Sequence, residues 1–155
     1  MTRDDVDAFI RNPLKSLDAQ PDWRDGNRAG EKRCSIPVSV DGSFSPVSLE
    51  MTVRLADLGY LMALLLVSRR VVCRLCTATE HFDRELGQMV EDSHFHSWSA
   101  NRPGGQTLPK QLRRCVLVPD GIVGRDASFA WFLNQNGIAS PPWIPGGWPA
   151  SGTFL

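Results

Sequence analysis

From Val47 to Leu55 the side chains alternate without a fault. Val47, Leu49, Met51, Val53 and Leu55 are apolar, and Ser48, Glu50, Thr52 and Arg54 between them are polar. A helix would spread such a pattern around its whole circumference, whereas a strand sends successive side chains to opposite faces. The segment therefore reads as a strand with one buried and one wet face, the signature of an antiparallel sheet. Arg33–Val40 repeats the pattern, with Cys34, Ile36, Val38 and Val40 set against Arg33, Ser35, Pro37 and Ser39. Asp41-Gly42 is a hairpin turn dipeptide between the two runs. Pro37 has no N–H for a ladder bond, so the Arg33–Val40 strand is expected at a sheet edge.

The remaining chain fits the same frame. Arg70–Ala78 alternates again, Ser93–Trp98 is a further strand, and Arg114–Val118 is one more strand or an extended segment. Leu61–Val67 is continuously apolar, and periodicity does not decide between a buried strand and a short buried helix. Thr2 is placed as an N-cap with Asp4 and Asp5 in the first turn, and Val6, Phe9 and Ile10 form the apolar face of a helix ending near Asn12. Asp126–Asn136 is the second helix, with Phe129, Phe132 and Leu133 inward and Gly137 just past its end. Residues 18–32 read as a loop anchored by Trp23, 80–91 as a loop carrying His81, and 101–105 as a turn. The tail 140–155 is rich in Pro, Gly and Trp and is expected to be irregular, pinned by Trp143 and Trp148. The expected fold is α+β: an antiparallel sheet of four or more strands flanked by an N-terminal and a C-terminal helix, in a single domain over 1–155.

Composition narrows the function classes. The formal net charge is zero, which argues against binding nucleic acid by bulk electrostatics and leaves room only for a local basic stripe. The N-terminus is acidic and lacks an apolar targeting segment, and the run Leu61–Val67 is too short to span a bilayer. A cytoplasmic location follows as an expectation, with no membrane contact and with Cys34, Cys73, Cys76 and Cys115 reduced. No Gly-rich phosphate loop, nucleophile elbow or dinucleotide fingerprint is present.

The chemistry concentrates in one place. All three histidines, His81, His94 and His96, fall within a short stretch. His94 and His96 are spaced i, i+2, so on a strand they share one face, about 6.5–7 Å apart. The arginines Arg69, Arg70, Arg74 and Arg102 surround the region.

Taken in order, the chain resembles an uncharacterised family of small bacterial and prophage proteins, a domain of unknown function. Its pattern is a short helix, a β-meander, an arginine, an Arg-Leu-Asp strand, a His-x-Asn-Pro-Asp loop, a His-x-His-x-Tyr strand and a helix with Phe-Leu or Phe-Met. Here Arg69 or Arg70 matches the first arginine. Arg74-Leu75-Cys76 stands for Arg-Leu-Asp with cysteine replacing the acid, and His81-Phe82-Asp83 for the histidine loop, without Asn-Pro. His94-Phe95-His96-Ser97-Trp98 stands for His-x-His-x-Tyr, with Trp for Tyr, and Phe132-Leu133 for the last helix. The resemblance implies the same fold and no known activity.

Three functions are compatible with these residues. Imidazoles with a pKa of about 6.5 can give and take protons at cellular pH. His81, His94 and His96, with Arg74 stabilising developing charge, would serve a toxin-like phosphodiesterase or ribonuclease acting on RNA without a cofactor. Arg70, Trp98 and Arg102 would then hold the substrate, Trp98 by stacking a base. In the second reading the histidines are structural and the chain is a non-catalytic protein-interaction or regulatory module, with a partner such as an antitoxin. The third is a site for zinc or another divalent metal built from His81, His94 and His96 with Asp83, or alternatively Asp92. Cys73 and Cys76 face opposite sides of their strand and do not chelate together.

Overall fold

Strand formation dominates, as the alternation requires. The structure is a computed structural model and describes residues 1–77, 81–83, 86–144 and 147–150, the side chains of Phe44 and His81 excepted. The elements in chain order are α1 (Arg3–Arg11), β1 (Lys15–Leu17), β2 (Arg24–Asp25), β3 (Glu31–Val40), β4 (Ser43–Arg54), β5 (Asp57–Val67), β6 (Arg70–Thr77), β7 (His81–Asp83), β8 (Gln88–Val90), β9 (His94–His96), α2 (Trp98–Asn101), β10 (Val116–Leu117) and α3 (Arg125–Gln135). Among the described residues the main sheet has eight strands in the order β1-β3-β4-β5-β6-β9-β10, with β2 also paired to β3; β7 and β8 form a separate hairpin. Every strand pair is antiparallel. The α+β architecture with helices near both ends is the expected one.

One face of the sheet carries the core. Ile36, Leu49, Leu65, Leu75 and Phe95 pack there with Phe129, Phe132 and Leu133 of α3. The last three are fully buried, each stabilising the fold by about 1.5–3 kcal/mol. Phe95 meets Phe132 edge-on at 5.8 Å between ring centroids. Val6 of α1 joins the same core. A capping box between Thr2 and Asp5 starts α1. The buried Lys15 ammonium donates to the Phe9 and Ile10 carbonyls at the helix end, at 3.0 and 2.7 Å. In the tail, Trp143 stacks on Phe129 and the Trp148 indole donates to Asp126 at 2.7 Å.

Several local readings are resolved or corrected. Leu61–Val67 belongs to strand β5, and its unbroken apolarity reflects cover on both faces: Leu61, Ala63 and Leu65 in the main core, and Met62 against a small cluster of Tyr60 and Cys76. Strand β3 is not an edge. Pro37 is accommodated because β1 pairs with Val38–Val40 and β2 with Lys32–Arg33, leaving Pro37 in the gap between them. The stretch 80–91, expected as a loop, contains the β7–β8 hairpin. The strand expected over Ser93–Trp98 is shorter, because the Ser97 hydroxyl accepts the Ala100 N–H and opens helix α2. The segment Arg114–Val118 is strand only at Val116–Leu117. All four cysteines are free thiols.

Candidate functional site

Pairing of β6 with β9 places Arg74 opposite His96, Leu75 opposite Phe95 and Cys76 opposite His94. Residues directly opposite in an antiparallel pair share a face. Leu75 and Phe95 therefore enter the main core, and Arg74, Cys76, His94 and His96 stand together on the other side. The β7–β8 hairpin covers that side and brings in Asp83. One carboxylate oxygen of Asp83 accepts the Leu86 N–H at 3.0 Å, and its carbonyl accepts the Gly87 N–H at 2.8 Å. Gly87 has φ 69°, a conformation that glycine adopts at no steric cost. The turn thereby aims the second carboxylate oxygen, Oδ2, at the sheet.

At that point four side chains meet. Asp83 Oδ2 lies 3.0 Å from His94 Nε2 and 3.6 Å from His96 Nε2, and it pairs with Arg74. Arg74 Nη2 also lies 2.7 Å from His96 Nε2, and His94 Nδ1 lies 3.1 Å from the Asp92 carbonyl. The two imidazoles are fully buried, the Asp83 side chain is 1% exposed and that of Arg74 is 14% exposed.

Hydrogen-bonding capacity assigns the protons. A carbonyl and a carboxylate only accept, so His94 presents an N–H to each, from Nδ1 to the Asp92 carbonyl and from Nε2 to Asp83. A guanidinium only donates, so His96 presents a lone pair at Nε2 and its proton sits on Nδ1. His96 Nδ1 is buried and has no hydrogen-bond partner among the described residues. Burial, followed by the neighbouring Arg74 and His94, pushes the His96 pKa down to about 4 and keeps it neutral. Burial also raises the Cys76 thiol to about 11 and the Cys115 thiol above its ordinary value.

This arrangement lends itself to holding a cation. The donor atoms of Asp83, His94 and His96 all lie within 4.8 Å of one another. Bonds of about 2.0–2.1 Å to a tetrahedral zinc ion imply donor–donor edges of about 3.3–3.4 Å, between the 3.0 and 3.6 Å measured from Asp83 to the two imidazoles. The carbonyl on His94 Nδ1 is the outer support that fixes the tautomer of a metal-binding histidine. In the present arrangement the guanidinium of Arg74 brings a positive charge to that point.

The expected site residues divide. Arg74, His94, His96 and Asp83 converge. The side chain of His81 lies outside the described residues; its backbone pairs with Val90 in the hairpin. Asp92 contributes its carbonyl rather than its carboxylate. Arg70 does not share the side of Arg74, because the register slips between Leu65 and Leu66. The extra residue there turns Arg70 to the opposite face, where it lines a surface cavity with Met1, Thr2 and Gln106. Trp98 is not on the histidine strand, and its ring is buried, with the indole N–H donating to Asp7 at 2.8 Å. That leaves no exposed ring face for a base. Arg102 forms a two-pronged contact with the same Asp7 at 2.6–3.0 Å. This contact and the Trp98 bond hold the Asp7 carboxyl down at about 2. Trp98 and Arg102 thus tie α2 and the residue after it to α1. Asp7 carries no signal of its own in the sequence, since one more acid just after Asp4 and Asp5 on a short helix looks like solvated surface.

Comparison with family models, with curated proteins and with solved structures finds no match.

Proposed function

We propose that the chain is a divalent-metal-binding domain whose ion, of the zinc class, is held by Asp83, His94 and His96. The observation that carries this reading is the meeting of one carboxylate and two imidazole donors within 4.8 Å on a buried face. Imidazole and carboxylate together suit zinc among the common divalent ions. For the ion to bind, Arg74 has to release His96 Nε2 and move toward the solvent it already touches, and His94 Nε2 has to give the proton it shares with Asp83 to solvent.

The ribonuclease reading ranks second. It requires a phosphate to reach two imidazoles that have no exposed surface. On its side stands Arg74, an anion-binding group in contact with His96 and Asp83. The interaction reading has a surface of its own: Phe82 and Met89, paired across the hairpin, are 56% and 54% exposed.

Calorimetric titration of chelator-treated protein with Zn²⁺ tests the proposal. One ion is expected per chain, with a raised unfolding temperature, and His94→Gln or His96→Gln is expected to abolish both effects. Absence of binding overturns the metal site. Incubation of the same samples with RNA separates the second reading, for which cleavage must occur and must vanish in both variants.

A further inference from the structure

We infer that the cavity between the end of α2 and residues 110–114 is a binding site for a phosphate monoester, held by Arg102, Arg113 and Arg114. None of its residues belongs to the proposed metal site, so the inference goes beyond that reading.

The cavity has a volume of about 240 Å³ and is lined by Ala100, Asn101, Arg102, Gln111, Arg113 and Arg114. Half of the lining residues are arginines and none is acidic, in a chain whose formal net charge is zero. Pockets for drug-sized ligands enclose about 300–1,000 Å³. This one therefore admits an anionic group and little of the molecule that carries it.

The wall is held in place. Asn101 Nδ2 donates to the Ser97 carbonyl at 2.9 Å and to the Arg114 carbonyl at 2.8 Å, and its Oδ1 accepts the Arg114 N–H at 2.9 Å. These bonds fix the Arg114 backbone and leave its guanidinium out of the clamp. Leu112, 1% exposed, anchors the chain between Gln111 and Arg113. Asp7 engages Nε and Nη2 of Arg102 at 2.6–3.0 Å, and Nη1 has no partner among the described residues. Donors oriented before binding lose less freedom when the ligand arrives.

Charge names the ligand. The acids near Arg102 are already balanced: Asp7 pairs with Arg102 at 2.6 Å and with Arg3 at 3.9 Å, and Asp4 pairs with Arg3 at 2.9 Å. Arg113 and Arg114 are exposed, form no ion pair among the described residues, and leave two positive charges at the cavity unanswered. A phosphate monoester carries about −1.5 to −2 at pH 7 on three acceptor oxygens. The planar fork of each guanidinium matches that geometry. A carboxylate brings half the charge, and a phosphodiester brings the same single charge inside an extended chain that a cavity of this size does not enclose.

Phosphorus NMR titration of the full chain provides the test, with chelator present to keep the metal site out of the readout. Inorganic phosphate and phenyl phosphate are both expected to bind saturably, at one site per chain. Arg113→Gln and Arg114→Gln should each weaken binding at least about tenfold, the loss of a charge-assisted hydrogen bond. Both keep the Asn101 clamp, so the unfolding temperature should stay at the parent value. Arg113→Lys keeps the charge without the fork and should fall between. Arg28→Gln removes an equal charge from an exposed loop and should leave binding unchanged. Line broadening that never saturates, or that falls equally in Arg28→Gln, reports bulk charge and overturns the site. Displacement of phosphate by an equal concentration of acetate, or tighter binding of an unphosphorylated RNA oligonucleotide than of phenyl phosphate, overturns the monoester. Each of these outcomes leaves the Zn²⁺ titration of Asp83, His94 and His96 where it stands.

Discussion

Replacing Arg74 by Met separates the two roles of the buried cluster. The methionine keeps most of the aliphatic stem but removes a fixed positive charge in contact with the Asp83 carboxylate, whose side chain is 1% exposed. Removing one partner of a buried ion pair costs about 3–5 kcal/mol. Asp83 retains the Leu86 N–H and His94, so the lower end, about 3 kcal/mol, is expected. For a domain of this size that corresponds to a fall in unfolding temperature of about 6–12 °C. Zn²⁺ is expected to reverse much of it, since ligand at a hundredfold over its dissociation constant stabilises by about 2.7 kcal/mol. The gain must be larger in Arg74→Met than in the parent, because the parent has to displace its guanidinium before the ion can bind. Thermal and urea unfolding of both proteins, with chelator and with Zn²⁺, gives the four values required. A loss under about 1 kcal/mol in chelator would show that the buried pair carries little stability. An equal Zn²⁺ gain in both proteins would refute the argument that Arg74 stands where the ion goes.

Two further outcomes are expected. His96 is held neutral in the fold with its pKa down at about 4, below the ordinary value of about 6.5. A depressed pKa contributes stability that is fully present above the unfolded value and lost as pH falls toward the folded one. In chelator, the urea midpoint should therefore drop between about pH 6.5 and pH 4, with a shallower drop in His96→Gln; identical slopes in the two proteins would remove His96 as the cause. Ser68 and Arg69 turn β5 into β6 with φ of 46° and 67°, a conformation that L side chains adopt at a cost. The double change Ser68→Asn, Arg69→Gly supplies the residues that such a turn prefers and is expected to raise stability by about 1–2 kcal/mol in urea unfolding, and unchanged or lower stability would contradict the strain.

What was legible in the chain was everything that repeats at short range. The alternation of Val47–Leu55 and of Arg33–Val40 determines strands with one buried face, whatever the partners are. Thr2 with Asp5, Asp41-Gly42 and the Phe129, Phe132, Leu133 stripe work in the same way, because each depends only on neighbours a few residues away. The i, i+2 spacing of His94 and His96 likewise placed both imidazoles on one side of a strand. Which side, and against what, was decided by tertiary structure. Strand β9 lies beside β6, so Arg74 rather than Arg70 meets the histidines, and a single extra residue in β6 sends Arg70 to the opposite face. Asp83 reaches them through a hairpin of three-residue strands, too short to leave a period in the sequence. Trp98 and Arg102 are taken up by Asp7, 91 and 95 positions away. Contacts over such separations follow from strand order and register, which are properties of the whole sheet and have no local code.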